Sequence, residues 1–527
     1  MRFLSTINQL GLFIAAVTAQ RRSVSLKDGK TYVGTATQVQ VVNLEATTTA
    51  TATVNKFLGV PFAEKPVRFR ASRLPVPVAG PGNKTVEAVK QPPACGNDED
   101  CLYLNIFAPQ YTSGSKKAVL VWWHGGALQF GSISGTDGST LAANEDIIVI
   151  AAQYRLGVFG FPGNVSGLPG NELNAGFRDQ KTTLQWIQEN IEAFGGDRTR
   201  VTIAGESGGA VSVDSQLLSE PFDKPLFHAA ILQSGGLHTF NRIALGVGPY
   251  STGLGTGNKK DGEPPFLTLA KAMDCPVDGD KALLCLQSKP AAEVRAAVNR
   301  VNLLFPPVDD NSQSSVGDSD SARRARRTVN VPVLIGSTFM EGLIFPQNNI
   351  ASKTFDQWTE VIYPQNASLR VEAKRAYAVG ASWLIQSESD AVNLLHSDYQ
   401  FACTTTYDAN LMVKTGIPTW RYLFNASLPG GRLAGHGSDV GFVFGERQSS
   451  DTNRVLSRRI QAAWGLFTKN PATGPGWVKY GSVPNSLGNL GGEGDRKSIT
   501  LTDPAVVDSR CHVWTDAYDP NRPRNGL

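Results

Sequence analysis

Six short apolar runs recur along the chain, separated by polar, glycine-rich or helix-like segments. Each run is rich in β-branched or aromatic residues and shows almost no alternation with polar positions, which is typical of a strand buried on both faces. The pattern therefore predicts an α/β fold with a large, mostly parallel central sheet. The predicted strands are 118–123, 147–152, 201–204, 229–233, 331–335 and 419–424.

Two segments show helical periodicity. Residues 179–193 place Leu184, Ile187 and Ile191 on one face and end at a Gly-Gly pair, so they predict a helix that leads into the 201–204 strand. Residues 452–468 predict a second helix near the C-terminus. Short β-like runs at 30–33 and 39–44 predict an N-terminal hairpin region.

The first nineteen residues differ from the rest of the sequence. Arg2 precedes an apolar stretch at 10–17, and small residues follow before Gln20, as at a signal-peptidase site. We therefore expect residues 1–19 to be a secretory signal peptide and the mature protein to be extracellular; a buried N-terminal helix is the alternative. Four glycosylation sequons agree with export: Asn83, Asn164, Asn366 and Asn425.

Composition excludes several classes of function. A net charge of +4 with only 18% charged residues gives no nucleic-acid-binding signature. After the N-terminus there is no apolar stretch of membrane-spanning length, so we expect no stable membrane insertion. Only six histidines and no Cys-x-x-Cys motif occur, and we expect neither a metal nor a cofactor. Oligomeric state cannot be inferred.

The six cysteines are even in number, which in an exported chain favours disulfides. They are grouped along the sequence as Cys95 and Cys101, Cys275 and Cys285, and Cys403 and Cys511. Pairing within each group is one hypothesis among the fifteen connectivities that six cysteines allow.

A polar tract at 309–327 is acidic and serine-rich first and then strongly basic over 323–327. Such a composition predicts an exposed loop and helix end, with a processing-protease site as the alternative.

The central motif is Gly205-Glu206-Ser207-Gly208-Gly209, which directly follows a predicted strand and opens a predicted helix. This is the arrangement of a nucleophile elbow, in which a sharp turn lifts a serine hydroxyl above the sheet. A serine needs a base to take its proton. The motif therefore predicts Ser207 as a nucleophile, provided that partners exist elsewhere.

Two histidines are placed to act with it. His436 lies in a glycine-flanked loop before an apolar segment and is the predicted general base. His124 opens a glycine-rich loop after a strand, where the backbone N–H groups of Gly126 and Ala127, with that of Gly208, predict an oxyanion hole. The other four imidazoles are expected to be structural or at the surface: His228, His238, His396 and His512.

The acid of such a triad lies between the serine and the histidine in chain order. Glu341 meets this condition, because it follows the predicted strand at 331–335 within an apolar loop where an unpaired carboxylate would be costly. We expect it to orient His436 and to stabilise its protonated form.

These motifs, in this order, resemble those of the type-B carboxylesterase/lipase family, the cholinesterase-like branch of the α/β-hydrolases. The resemblance implies a single α/β-hydrolase domain over residues 20–527 and the triad Ser207, Glu341 and His436. It also implies the oxyanion hole described above, disulfides Cys275–Cys285 and Cys403–Cys511, and supporting roles for Glu206 and Ser234. The matching blocks are 57–63, 99–106, 124–131, 154–161, 179–180, 190–197, 205–210, 332–342 and 435–445.

The sequence also departs from the family pattern. Ala127 replaces the usual third glycine of the oxyanion loop, and its methyl group restricts the backbone and the pocket. The cysteine nearest to Cys101 in sequence is Cys95. We therefore expect the long flap that a disulfide closes in family lipases to be missing, or not to be held by a disulfide. Residues 76–100 contain no aromatic side chain, which argues against a cation–π site for choline.

The sequence thus predicts a secreted serine carboxylester hydrolase that acts on a small-molecule ester through an acyl-enzyme on Ser207. The alternatives are a lipase acting on acylglycerols and a catalytically silent adhesion or binding member of the same fold. An intact triad argues against the silent alternative.

Overall fold

A computed structural model describes residues 22–42, 49–77, 84–219, 221–239, 264–309, 319–344, 353–446, 450–492 and 494–515. Within these ranges, an 11-stranded sheet and a separate 3-stranded sheet form the framework. The predicted signal peptide and Asn83 lie outside the described residues.

Fourteen strands are described, and their bounds follow in chain order. They are β1 (Ser23–Ser25), β2 (Lys30–Val33), β3 (Thr35–Val42), β4 (Thr49–Pro61), β5 (Lys84–Glu87), β6 (Tyr103–Pro109), β7 (Lys117–Trp123), β8 (Ile148–Ala152), β9 (Gly196–Glu206), β10 (Ala229–Gln233), β11 (Val333–Thr338), β12 (Thr419–Phe424), β13 (Leu487–Leu490) and β14 (Ile499–Thr502).

The helices surround the large sheet. The α-helices of the described ranges are α1 (Ser139–Glu145), α2 (Gly157–Gly160), α3 (Ala175–Asn190), α4 (Gly208–Leu217), α5 (Pro265–Ala272), α6 (Gly279–Ser288), α7 (Ala291–Arg300), α8 (Ser319–Arg324), α9 (Phe355–Ile362), α10 (Ala367–Ala376), α11 (Glu388–His396), α12 (Cys403–Lys414), α13 (Val440–Val443), α14 (Asp451–Lys469) and α15 (Ala505–Asp508). A π-helical turn, Ser397–Ala402, joins α11 to α12.

The large sheet runs in the order β14-β13-β12-β11-β10-β9-β7-β8-β6-β4-β3. Its central strands, from β13 to β8, are all parallel, and the strands at either side pair antiparallel. The prediction of a large, mostly parallel sheet is confirmed, and all six predicted strands are present. The predicted runs at 30–33 and 39–44 overlap β2 and β3, but these strands do not pair with each other: β2 pairs with β1 and β5 in the small sheet, and β3 pairs with β4 in the large one.

Alternate side chains of β7 show why these strands lack a polar face. Val119, Val121 and Trp123 join one hydrophobic cluster, which includes residues of α3 and α4. Leu120 and Trp122 join the cluster on the opposite face, which includes residues of α14. Because helices cover both faces, every position of the strand after Lys117 is apolar. The carboxyl ends of the parallel strands then meet along one edge, where loops carry the chemistry.

The described cysteines form three disulfides, Cys95–Cys101, Cys275–Cys285 and Cys403–Cys511. They are the pairs expected from the sequence. Among the other predicted modification sites, Asn164 and Asn366 are exposed, whereas Asn425 is half-buried. None of the helices described is long and apolar enough to cross a membrane.

One expectation for the polar tract is wrong. Arg323 is buried, with 1% of its side chain exposed, and pairs with Asp214 and Asp408. The run at 323–327 is therefore not uniformly exposed. The guanidinium of Arg323 is buried against two carboxylates that are distant in sequence. Residues 324–327 do lie at the surface.

Candidate active site

Ser207 occupies the turn between β9 and α4 with backbone angles φ 54° and ψ −120°, which few residues other than glycine adopt readily. The turn closes tightly on its neighbours. A Cβ atom on Gly205 would lie 2.4 Å from the carbonyl carbon of Gly209, and one on Gly209 would lie 2.0 Å from the oxygen of Trp123. Both glycines are therefore required for the strand and helix to approach closely enough to expose the serine.

The loop after β7 lies against the start of α4. Gly126, Ala127 and Leu128 have positive φ angles of 112°, 53° and 62°. A Cβ atom on Gly208 would be 3.1 Å from the amide nitrogen of Ala127, so the loop and the helix N-terminus are in direct contact. The first N–H groups of a helix have no acceptor within that helix. The predicted oxyanion donors are thus brought together beside Ser207.

His124 belongs to the packing beneath this loop. Its ring stacks on Tyr154 with centroids 4.7 Å apart, and Nδ1 lies 2.7 Å from the oxygen of Gly125. Burial lowers the pKa of His124 to about 4, so the imidazole is neutral near pH 7. The imidazole therefore packs beneath the loop, whose backbone N–H groups are the predicted oxyanion donors.

Glu341 and His436 face each other from the loops that follow β11 and β12. Oε2 of Glu341 lies 2.6 Å from Nδ1 of His436, and Oε1 accepts the Thr338 N–H at 2.6 Å. The Met340 N–H donates to the Ala434 oxygen at 2.8 Å and so ties the two loops together next to this contact. Glu341 is fully buried, and the histidine ring is its charged partner.

The second ring nitrogen of His436 faces a different carboxylate. Nε2 lies 3.2 Å from Oε1 of Glu206, the residue before the serine. Burial disfavours the charged imidazole, but the carboxylates of Glu206 and Glu341 outweigh it and raise the pKa of His436 above that of a free histidine. Burial also raises the pKa of Glu206, and the positive charge of His436 opposes that rise. The two carboxylates on either side of the ring therefore stabilise the protonated form of His436.

Sequence reasoning missed two residues that act on His436. Asp439 is buried and accepts hydrogen bonds from Gln233 Nε2 and the Tyr422 hydroxyl, both at 2.9 Å. Its charge also raises the pKa of His436. Phe401, from the π-helical turn, places its ring centroid 4.6 Å from that of His436. Asp439 was detectable, because it lies three residues after the histidine, whereas Phe401 had no local signal.

Ser234 follows β10 as Ser207 follows β9, and it has the same φ of 54°. It is fully buried, and its N–H donates to the oxygen of Gly336 at 2.8 Å. Its hydroxyl has no hydrogen-bond partner within the described ranges. Ser234 therefore lies where a supporting residue was predicted, with a hydroxyl available to the site.

A cavity of about 870 Å³ opens above the serine. Ser207, His436, Glu206, Ser234 and the three oxyanion residues all line it, and much of the remaining wall is apolar. Residues 94–97, next to the Cys95–Cys101 disulfide, contribute one part of the wall. Apolar wall residues include Leu156, Val158, Phe159, Val211, Val298 and Leu303.

The other four histidines do not line this cavity. His238, for example, is buried against Asp408 with Nδ1 2.6 Å from Oδ1, and His396 packs against Trp358. In the part of the chain that the structure describes, no group of three or more His, Cys, Asp or Glu side chains is arranged to hold a metal ion.

Comparison with known proteins is consistent with this geometry. The model of the carboxylesterase family matches residues 35–497. Carboxylesterase 5A of Felis catus is 31% identical over 490 residues, covering 82% of this chain and 85% of that protein. Pyrethroid hydrolase Ces2a of Mus musculus is 39% identical over 472 residues, covering 79% of each. A medium-chain fatty acyl-CoA hydrolase precursor of Anas platyrhynchos is 31% identical over 486 residues, covering 80% and 81%. The resemblance seen in the motifs and the prediction of an α/β-hydrolase fold are thus confirmed: the chain belongs to the carboxylesterase family and is a carboxylic ester hydrolase.

Proposed function

We propose that the protein hydrolyses small carboxylic esters through an acyl-enzyme formed on Ser207. The observation that carries this proposal is the 2.6 Å contact between Glu341 and His436, whose ring lines the same cavity as Ser207. Nδ1 is engaged by the Glu341 carboxylate and carries the proton of the neutral imidazole. Nε2, which lies 3.2 Å from Oε1 of Glu206, is therefore the ring nitrogen that takes the proton of the serine.

The reaction follows from these positions. Ser207 Oγ attacks the ester carbonyl carbon while its proton passes to Nε2 of His436. The imidazolium then gives that proton to the departing alkoxide, which leaves as the alcohol. A water molecule attacks the acyl-enzyme by the same route, and the proton returns to Ser207 as the carboxylic acid is released. Glu341 and Glu206 stabilise the imidazolium in both steps.

The developing oxyanion would be bound by the N–H groups of Gly126, Ala127 and Gly208. The position of Gly208 at the N-terminus of α4 supports this role, because that end of a helix attracts negative charge. Loss of one such donor typically costs about 3 to 4 kcal/mol of transition-state stabilisation. Ala127 keeps its N–H despite replacing a glycine.

Soluble esters are favoured over emulsified acylglycerols. The Cys95–Cys101 disulfide closes a short loop, with a sequence separation of 6, which leaves no long flap pinned between these cysteines. The apolar cavity suits hydrophobic acyl or alcohol groups. The names of two relatives, a pyrethroid hydrolase and a fatty acyl-CoA hydrolase, support a broad ester or thioester range. A panel of soluble esters against emulsified triglyceride tests this preference.

Secretion is part of the proposal. It is supported by the signal-like N-terminus, the three disulfides and the exposed sequon residues Asn164 and Asn366. The protein can be expressed in a secretory eukaryotic host and purified from the medium. N-terminal sequencing is then expected to give a chain that starts at Gln20. Retention of the whole chain inside the cell would contradict it.

Covalent labelling tests the mechanism. A p-nitrophenyl phosphonate ester is expected to release one equivalent of p-nitrophenol and to leave its phosphonyl group on the peptide that contains Ser207. Mass spectrometry locates the adduct. Labelling of another residue, with Ser207 unmodified in the inactivated enzyme, would overturn the assignment and would favour a different nucleophile.

A further inference from the structure

One wall of the cavity is a face of helix α7. Arg295, Val298 and Asn299 line the cavity, at the one-turn spacing that places residues on the same face. Val294 and Ala297 are buried in the hydrophobic core, and Val298 packs against the same core. Arg295 is therefore carried by a packed helix rather than by a free loop.

The guanidinium of Arg295 is partly engaged. Its Cζ lies 5.9 Å from the ring centroid of Phe159, which also lines the cavity. Its Nη1 is buried and meets no protein acceptor among the described residues. Arg68 approaches the same ring at 5.5 Å but is paired with Glu99, whose carboxylate oxygens lie 2.9 and 3.0 Å from Nε. Arg68 is not part of the cavity lining, so of these two guanidiniums only that of Arg295 combines a place in the lining with a buried nitrogen that meets no described acceptor.

Arg295 differs in charge from the rest of the cavity lining. The ionisable side chains in the described lining are Glu206, His436 and Arg295. Glu206 and His436 face each other at 3.2 Å and serve the reaction. Arg295 is thus the cation of the lining that no described carboxylate neutralises, and a guanidinium is well suited to bind a planar carboxylate.

We propose that Arg295 selects anionic esters, in which a carboxylate accompanies the ester to be cleaved. The inference rests on the proposed function, since it assigns a substrate class to the cavity above Ser207. The carboxylate can belong to the acyl chain, as in a dicarboxylic half-ester, or to the alcohol. A guanidinium would bind the carboxylate in the same way in both cases. Two pairs of substrates show whether the carboxylate is recognised on the acyl chain or on the alcohol.

The first pair is p-nitrophenyl hemiglutarate and p-nitrophenyl valerate, which differ in the acyl end. The second is p-carboxyphenyl butyrate and its neutral isostere p-carbamoylphenyl butyrate, which differ in the alcohol. For each pair the ratio of kcat/KM, anionic over neutral, is measured at low and high salt. Arg295→Gln is expected to lower this ratio about tenfold in at least one pair, and the wild-type ratio is expected to fall as salt rises.

Two variants control for charge and folding. Arg300→Gln removes the same charge from the same helix at an exposed position outside the cavity lining, and its ratios are expected to equal those of the wild type. Arg295→Lys keeps the charge and is expected to retain most of the anionic preference. Circular dichroism checks that each variant is folded.

The outcomes distinguish this inference from the proposed function. If the wild type hydrolyses p-nitrophenyl valerate but Arg295→Gln changes neither ratio, the selection by Arg295 is refuted and the esterase proposal stands. If the wild type hydrolyses none of the four esters, both proposals fail. If Arg300→Gln lowers the ratio of kcat/KM as much as Arg295→Gln does, the inference is also refuted. The loss would then come from removing any positive charge from α7 rather than from the position of Arg295.

Discussion

Nδ1 of His436 lies 2.6 Å from Oε2 of Glu341, although 95 residues separate them in sequence. Since a carboxylate can only accept a hydrogen bond, the Nδ1–H donates it. The neutral imidazole then has no proton on Nε2, which lies 3.2 Å from Glu206 and can accept one. The other carboxylate oxygen is held by the Thr338 N–H. The contact therefore sets both the orientation and the protonation of the proposed base.

Glu341→Gln is expected to lower kcat by about 10³-fold or more, because an amide neither fixes this tautomer nor stabilises the imidazolium. Stopped assays with p-nitrophenyl acetate measure the loss, and near-ultraviolet circular dichroism checks the fold. A folded variant that retains more than a tenth of wild-type kcat would show that Glu341 is not the acid of the triad.

Glu206→Gln is expected to shift the acidic limb of the pH profile of kcat/KM to lower pH. A general base must be neutral to accept a proton, and the Glu206 carboxylate raises the pKa of His436 against the opposing influence of burial. Removing that carboxylate lowers the pKa, so the base remains neutral at more acidic pH. The matched control is Glu192→Gln, which removes a carboxylate at the exposed surface. An unchanged limb, or one moved to higher pH, would contradict the role assigned to Glu206.

Ala127→Gly is expected to keep kcat within about threefold of the wild type, because the N–H remains and glycine tolerates the φ of 53° at this position. Ala127→Val is expected to lower kcat at least about tenfold, since a β-branched residue is strained at positive φ and shifts the donor. Steady-state kinetics with p-nitrophenyl acetate compare the two. Equal activity of both variants would argue against a precisely placed donor at residue 127.

Arg323→Leu is expected to lower the free energy of unfolding by about 3 to 5 kcal/mol, because it leaves the buried carboxylate of Asp214 without its cation and leaves Asp408 with His238 alone. Urea denaturation measures the change. Arg327→Leu, at an exposed position of the same basic run, is expected to stay within about 0.5 kcal/mol of the wild type. Equal stability of the two variants would show that the pairing of Arg323 contributes little.

Residues that act through the backbone were the most predictable from sequence. The turn at Ser207 needs glycines at fixed positions, and the buried parallel strands need continuous apolar runs, so both leave local signals. The order of the serine, acid and histidine then reduced the search to Glu341 and His436. The structure brings these two side chains together where the sequence placed them.

Features that depend on distant packing left no such signal. Arg323 lies in a run of arginines that appears solvated, yet its partners come from α4 and α12. Phe401 reaches His436 because α11 and α12 are joined by a π-helical turn. The short strands β13 and β14 at the edge of the large sheet were also missed, because their sequences, Leu-Gly-Asn-Leu and Ile-Thr-Leu-Thr, are not continuous apolar runs.

The central claim is that Ser207 is the nucleophile, and the turnover of p-nitrophenyl butyrate by Ser207→Ala tests it most directly. The matched control is Ser215→Ala, which removes a buried hydroxyl of α4 that has no partner among the described residues and lies outside the cavity lining. We expect Ser215→Ala to match the wild type and folded Ser207→Ala to lose at least about 10³-fold in kcat. Undiminished turnover by folded Ser207→Ala would contradict the account.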